Sequence, residues 1–86
     1  MIDILYPSGT LTTMDTKVPP TLEQLKEWVE GYIERIPSRV SYQEVQAFCN
    51  ENGIAMNLDY NRRASNLFGQ SLYGTIVVLT GPNRVD

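Results

Sequence analysis

The chain has 86 residues, of which 42% are hydrophobic and 20% are charged, a composition typical of one small globular domain. Its net charge of −3 argues against nucleic-acid binding, because proteins that neutralise phosphates carry an excess of Lys and Arg. A chain this short has little material for a deep, walled active site. We therefore expect neither an enzyme nor a nucleic-acid partner.

Membrane, metal and cofactor functions are also disfavoured. No apolar run approaches the ~20 residues that cross a bilayer, and the first residues do not resemble a signal peptide, so we expect a cytoplasmic protein. The chain contains no His, the commonest general base and metal ligand. Its one thiol, Cys49, is expected to be a small buried hydrophobe. We expect no metal, no cofactor and no catalytic residue.

The first half of the chain predicts a hairpin followed by a helix. Residues 1–16 contain two β-favouring runs separated by a turn at Pro7-Ser8-Gly9. Thr21, followed three residues later by Gln24, is a capping box that predicts a helix over residues 22–30, ended by Gly31.

This helix has one apolar and one acidic face. An apolar stripe is expected to face the core; its members are Leu22, Leu25, Trp28, Val29 and Tyr32. The opposite face carries Glu23, Glu27 and Glu30.

The middle of the chain predicts strands. Residues 32–37 are a short β-like run that Pro37 ends. Residues 41–49 fit a half-buried strand, or else a helix that ends at Gly53; we favour the strand. Asn52-Gly53 then predicts a tight hairpin turn, with a returning strand over residues 54–56.

The last third predicts a second helix and a central strand. Asn61 is the expected N-cap of a helix over residues 62–68, which Gly69 ends. Residues 75–79 are the most β-branched segment and are expected to form the central strand. We predict a single α+β domain over residues 1–86: a mostly antiparallel sheet with an N-terminal hairpin, a middle hairpin and a C-terminal central strand, and two helices.

The order of these segments resembles a family of small, mostly phage-encoded domains, catalogued as domain of unknown function number three-eight-four-six. The matching segments are Tyr6-Pro7-Ser8-Gly9, Thr21 to Lys26, Gly31-Tyr32-Ile33-Glu34, Asn50-Glu51-Asn52-Gly53, Asn61 to Ser65 with Leu67, and Gly74 to Val78. The resemblance implies a phage accessory protein in a bacterial cytoplasm. It offers no catalytic residues to carry over, because none are established for the family.

One candidate site is the start of the second helix. Arg62 and Arg63 follow the expected cap Asn61, and two cations in a first helical turn suit a nearby anion. Asn61, Arg62 and Arg63 are therefore candidates for binding a phosphate, a nucleotide or a partner's carboxylate. An ion pair of Arg62 or Arg63 with Asp59 or another surface acid is the simpler alternative.

A second candidate is a protein-binding surface. Its acidic part is the helix face of Glu23, Glu27 and Glu30, for which a solvated outer face is the simpler interpretation. Its aromatic part is Tyr42, Tyr60 and Tyr73, because Tyr is enriched among the interface residues that contribute most of the binding energy.

The function we expect is a non-enzymatic phage accessory protein that modulates a host protein by stoichiometric binding. The alternative is a protein that binds or sequesters a small anionic ligand, such as a nucleotide signal, at Asn61–Arg63. Pairing of a sheet edge or a helix between two copies would make a homodimer, which would also enlarge the small core.

Overall fold

The computed structural model describes residues 1–37, 45–81 and 84. The elements in chain order are β1 (Ile2–Leu5), β2 (Leu11–Met14), α1 (Leu22–Val29), β3 (Ile33–Ile36), β4 (Val45–Asn50), α2 (Arg62–Phe68) and β5 (Ile76–Thr80). The predicted α+β class is confirmed, and so is the strand at 45–49. Residues 41–44, the first part of that prediction, lie outside the described residues.

The five strands form one sheet in the order β2-β1-β5-β4-β3, and all four pairings are antiparallel. The most β-branched strand, β5, is central, as predicted. Its residues Ile76 to Leu79 are all buried, because both faces of the sheet are covered. A strand buried on both faces needs apolar side chains at every position rather than at every second one.

The two helices cover opposite faces of the sheet. Leu25 and Val29 of α1 pack with Phe48, Val77 and Leu79 on one face. On the other face, Ala64 and Phe68 of α2 pack in a second cluster, whose sheet members include Leu5, Ala47, Cys49, Ile76 and Val78. The domain is thus a three-layer arrangement with the sheet in the middle.

The N-terminal hairpin and the helix start are confirmed in detail. The Tyr6 N–H donates to the Thr10 carbonyl at 3.0 Å, and Gly9 between them has a φ of 94°, as expected for a three-residue hairpin loop. At the capping box, the Gln24 N–H donates to Thr21 Oγ1 at 3.1 Å, and the Thr21 N–H donates to Gln24 Oε1 at 2.9 Å.

The end of α1 differs from the prediction. The left-handed residue is Glu30, with a φ of 63°, and not Gly31. Gly31 is required for another reason: a Cβ there would lie 2.6 Å from Asn50 Nδ2. The apolar stripe of α1 is also narrower than expected, because Leu22 and Tyr32 are exposed while Leu25 and Val29 form the buried contact.

The middle hairpin pairs different segments from those predicted. It joins β3 to β4, whereas residues 54–56 form no strand and lie in a turn segment over residues 51–57. The physical reason is that β4 already has β3 on one side and β5 on the other. No edge of β4 is left for a returning strand to bond.

The start and end of α2 match the prediction. Asn61 caps its N-terminus, and Gly69, with a φ of 68°, ends it. The expected apolar face is confirmed at Ala64 and Phe68 but not at Leu67, which is exposed.

Candidate functional site

A buried asparagine ties the end of β4 to the end of α1. Asn50 Nδ2 donates to the carbonyl oxygens of Val29 at 3.1 Å and Glu30 at 3.3 Å. Asn50 Oδ1 accepts from the Asn52 N–H at 2.8 Å. Asn50 is the last residue of β4, and its side chain therefore joins the carbonyl groups at the end of α1 to the first residues of the following turn.

The turn over residues 51–57 is held by its own backbone. The Met56 N–H donates to the Asn52 carbonyl at 2.8 Å, and the Leu58 N–H donates to the Gly53 carbonyl at 2.9 Å. Two large apolar side chains of this turn face solvent: Ile54 is 75% exposed and Met56 is 49% exposed. A fixed backbone thus presents large apolar groups to solvent.

Aromatic side chains from other elements lie beside this turn. The Tyr32 carbonyl accepts from the Glu51 N–H at 3.0 Å, and the Tyr32 side chain is 64% exposed. Tyr73 lies against Gly53 and packs edge-to-face on Tyr60, with ring centroids 5.5 Å apart. We call the side chains around this turn the turn patch: Tyr32, Ile54, Met56, Tyr60 and Tyr73.

A half-open cavity of about 430 Å³ lies between the turn patch and β3. Its lining includes the apolar side chains of Ile36, Cys49 and Leu72 together with two carboxylates, Glu34 and Glu51. No Lys or Arg is among the described residues that line it. We call this space the β3 cavity.

Cys49 contributes to the β3 cavity as an apolar group. Burial, together with the nearby Glu34 carboxylate, raises the pKa of the Cys49 thiol from 9.0 to about 11. The thiol therefore stays protonated at neutral pH, which opposes a nucleophilic role because the thiolate is the reactive form.

A second cavity, of about 480 Å³, lies on the same face of the sheet on the other side of α2. Its apolar lining comes from Leu5, Leu11, Leu67 and Val78, with the charged groups Asp3 and Arg63 beside them. Asp3 Oδ1 accepts from Thr13 Oγ1 at 2.8 Å.

The predicted anion site divides into a buried and an exposed part. Asn61 is fully buried: its Nδ2 donates to the carbonyl oxygens of Leu5 and Gly74, both at 2.9 Å, and its Oδ1 accepts from the Ala64 N–H at 3.1 Å. Its amide is thus committed to the fold. Arg62 and Arg63 are exposed, and Arg63 Nη1 donates to the Gly9 carbonyl at 3.3 Å.

The expected pair between an Arg and Asp59 is not formed in the described part of the chain. Among the described residues, Lys26 Nζ forms an ion pair with Glu23 at 4.0 Å. The Lys26 ammonium also lies 5.4 Å from the Tyr32 ring centroid.

Five of the predicted protein-binding residues lie in the described part of the chain. Glu23, Glu27 and Glu30 are exposed along α1, whereas Tyr60 and Tyr73 pair beyond the turn of residues 51–57. Tyr42 lies outside the described residues. Sequence reasoning missed Ile54, Met56 and Glu51. The available signal for the first two was the apolar run at 54–56, which we had assigned to a strand.

A family model, the domain of unknown function DUF3846, matches residues 4–86. The chain belongs to this family. The searches of curated proteins and of solved structures return no match. In residues 1–37, 45–81 and 84, no helix has the length and apolarity to span a bilayer, and no group of three or more acidic, Cys or His side chains converges as a metal site would.

Proposed function

We propose that this DUF3846 domain is a non-enzymatic binding module that acts by stoichiometric contact with a partner protein through the turn patch. The observation that carries the proposal is the exposure of Ile54, Met56 and Tyr32 around a backbone that hydrogen bonds hold in place. Clusters of large apolar and aromatic side chains at a surface mark interaction sites, and Tyr is enriched among the residues that dominate binding energy.

The rigidity of the turn supports this proposal. Asn50 anchors the turn to α1, and Gly53 is buried against Tyr73. A surface that is already ordered loses little conformational entropy when a partner binds. The apolar groups are thus presented in one arrangement, which suits stoichiometric recognition.

The proposal includes the biological setting that the family resemblance implies: a phage accessory protein in the bacterial cytoplasm, with a host protein as the partner. Non-enzymatic action is supported by the protonated, buried Cys49 and by the lack of His. Binding of a small anion at Arg62 and Arg63 is the alternative that the experiment must separate.

The experiment compares capture of host proteins by three tagged proteins. One is the natural sequence, one carries Ile54→Ser with Met56→Ser in the turn patch, and the control carries Val18→Ser with Leu22→Ser. Both pairs replace exposed apolar side chains, but Leu22 of the control pair is the first residue of α1 and Val18 lies in the segment before it. We expect a stoichiometric partner with the natural and control proteins, and at least about tenfold weaker capture by the patch variant.

Equal capture by the patch and control variants would contradict the proposal. A nucleotide or other anion that is released on denaturing the eluate, and that is lost with Arg62→Ala and Arg63→Ala, would establish the alternative instead. Circular dichroism of each variant checks that it is folded.

A further inference from the structure

Among the strands of the described residues, β3 is an edge of the sheet, with β4 as its single neighbour. The Glu51 N–H donates to the Tyr32 carbonyl, which makes Tyr32 and Glu51 a hydrogen-bonded pair. Because such pairs alternate along an antiparallel ladder, Glu34 and Ile36 bond β4, while Ile33 and Arg35 direct their N–H and C=O groups away from it. No backbone hydrogen bond joins these groups to another described residue, so they can pair with an added strand.

The β3 cavity lies beside this edge on one face of the sheet. Glu34 and Ile36, the β3 residues that contribute to the cavity, alternate with Ile33 and Arg35 on the opposite face. On a strand added to β3, the side chain opposite Glu34 would therefore point to the same face as the cavity. Its neighbours would lie beside Ile33 and Arg35 on the other face.

The charge of the cavity selects the side chain that it suits. The carboxylates of Glu34 and Glu51 form no ion pair with another described residue. Apolar groups of Ile36, Cys49 and Leu72 complete the lining. A Lys or Arg side chain matches both features, because its methylene stem packs on apolar surface while its charged end reaches a carboxylate.

We propose that β3 binds an extended, basic segment of the partner by strand addition, with a Lys or Arg side chain placed over the β3 cavity. Main-chain hydrogen bonds to Ile33 and Arg35 would supply affinity, and Glu34 with Glu51 would supply specificity. This inference rests on the proposed function and names the chemistry of the partner.

The opposite edge of the sheet, β2, lacks this match. The cavity beside it is mainly apolar and carries one acid and one base, Asp3 and Arg63. In addition, the Asp3 carboxylate already accepts a hydrogen bond from Thr13. Charge complementarity therefore favours the β3 edge for a basic partner.

The test measures binding of a fluorescein-labelled peptide in which Lys alternates with Val. Arg35→Pro removes an outward N–H at an edge position, where Pro is tolerated, and Arg35→Ala removes the same charge but keeps the N–H. We expect binding by Arg35→Pro to be about tenfold weaker than binding by Arg35→Ala, because a hydrogen bond to the added strand is lost. Equal affinities would overturn strand addition.

A second pair of variants tests the cavity. Glu34→Gln with Glu51→Gln should weaken binding about fivefold or more, whereas Glu23→Gln with Glu27→Gln on α1 makes the same change in net charge and should have little effect. Equal weakening by both pairs would mean that the peptide responds to net charge, and the inference would be wrong.

Two further measurements keep the result decisive. If Arg35→Pro does not fold, a peptide methylated on alternate backbone nitrogens blocks the same pairing from the ligand side, and undiminished binding of it would overturn the inference. A host partner whose capture requires Ile54 and Met56 but tolerates both the Arg35→Pro and the Glu34→Gln, Glu51→Gln changes would leave the proposed function standing and remove the strand-addition mode.

Discussion

The start of α2 and the end of β4 each contain a buried asparagine that bonds backbone groups of other elements. Asn61 joins α2 to the carbonyls of Leu5 and Gly74, and Asn50 joins β4 to the carbonyls of Val29 and Glu30. The two regions differ in what surrounds the asparagine. At α2 the neighbours are a short helix and two exposed Arg; at β4 they are a turn with exposed apolar side chains and a cavity with two carboxylates.

This comparison separates a structural asparagine from a binding surface. In the sequence, Asn61-Arg62-Arg63 has the features of an anion site. In the structure, however, the Asn61 side chain makes its hydrogen bonds to groups inside the protein. Asn50-Glu51-Asn52-Gly53 has the features of a tight turn, yet it supports the surface for which we propose a function. A polar motif is thus informative only when the burial of each member is known.

The largest expected effect is at the two asparagines. Asn61→Ala removes three buried hydrogen bonds, one of them the helix cap, and should lower the free energy of unfolding by about 3 kcal/mol. Asn50→Ala should cost about 2 kcal/mol, because its bond to Glu30 is only partly buried. Urea denaturation measures both, and Asn66→Ala, an exposed residue of α2, is the control. A loss at Asn66 as large as that at Asn61 would contradict this account.

The next effect concerns Cys49 beside the turn patch. Its raised pKa means that the folded protein keeps the thiol proton at a pH where the unfolded chain has lost it. The stabilisation is therefore complete below about pH 9 and is lost as the pH rises toward 11, by up to about 2 kcal/mol. Denaturation under reducing conditions should show this fall in the natural protein and a shallower one in Cys49→Ala. If the unfolding free energies of the two proteins changed with pH in parallel, burial would not raise the pKa of the Cys49 thiol.

A smaller effect is expected at the end of α1, where Asn50 is anchored. Glu30 has a φ of 63°, so Glu30→Gly should raise the free energy of unfolding by about 0.5–1 kcal/mol. Glu27→Gly is the same change inside the helix and should lower it by about 1 kcal/mol. Thermal unfolding of the two variants should therefore shift in opposite directions. Shifts in the same direction would mean that the backbone at Glu30 carries no strain.

The smallest effect on stability is expected at Arg62 and Arg63, at the start of α2. Arg62→Ala with Arg63→Ala removes exposed side chains, of which one makes a single hydrogen bond to the Gly9 carbonyl. The free energy of unfolding should change by no more than about 0.5 kcal/mol, as measured by urea denaturation. A larger loss would show that these Arg side chains stabilise the fold as Asn61 does. The contrast between a structural Asn61 and two exposed Arg side chains would then be wrong.

Much of the fold could be predicted because the signals are local. The capping box at Thr21, the cap at Asn61, the turn at Pro7-Ser8-Gly9 and the β-branched run of β5 each depend on a few adjacent residues. The prediction of a returning strand at 54–56 was wrong because it depended on how β4 pairs with segments distant in sequence. An Asn-Gly pair indicates a hairpin only if the strand before it has a free edge.

The candidate site was less predictable for the same reason. Glu34 and Glu51 are far enough apart in sequence that only the pairing of β3 with β4 brings them to one cavity. Tyr73 reaches the turn patch through its contact with Gly53. Such neighbours leave no periodic pattern in a single sequence.

The class of the domain, the starts of its two helices, its central strand and its family follow from the amino-acid sequence, because propensity, capping and turn chemistry are properties of short segments. The three-dimensional packing, by contrast, sets which strands are edges, which asparagines are buried and which apolar side chains remain exposed. Those outcomes depend on the order of the described strands in the sheet, where β5 separates β1 from β4 and β3 has one side without a neighbouring strand.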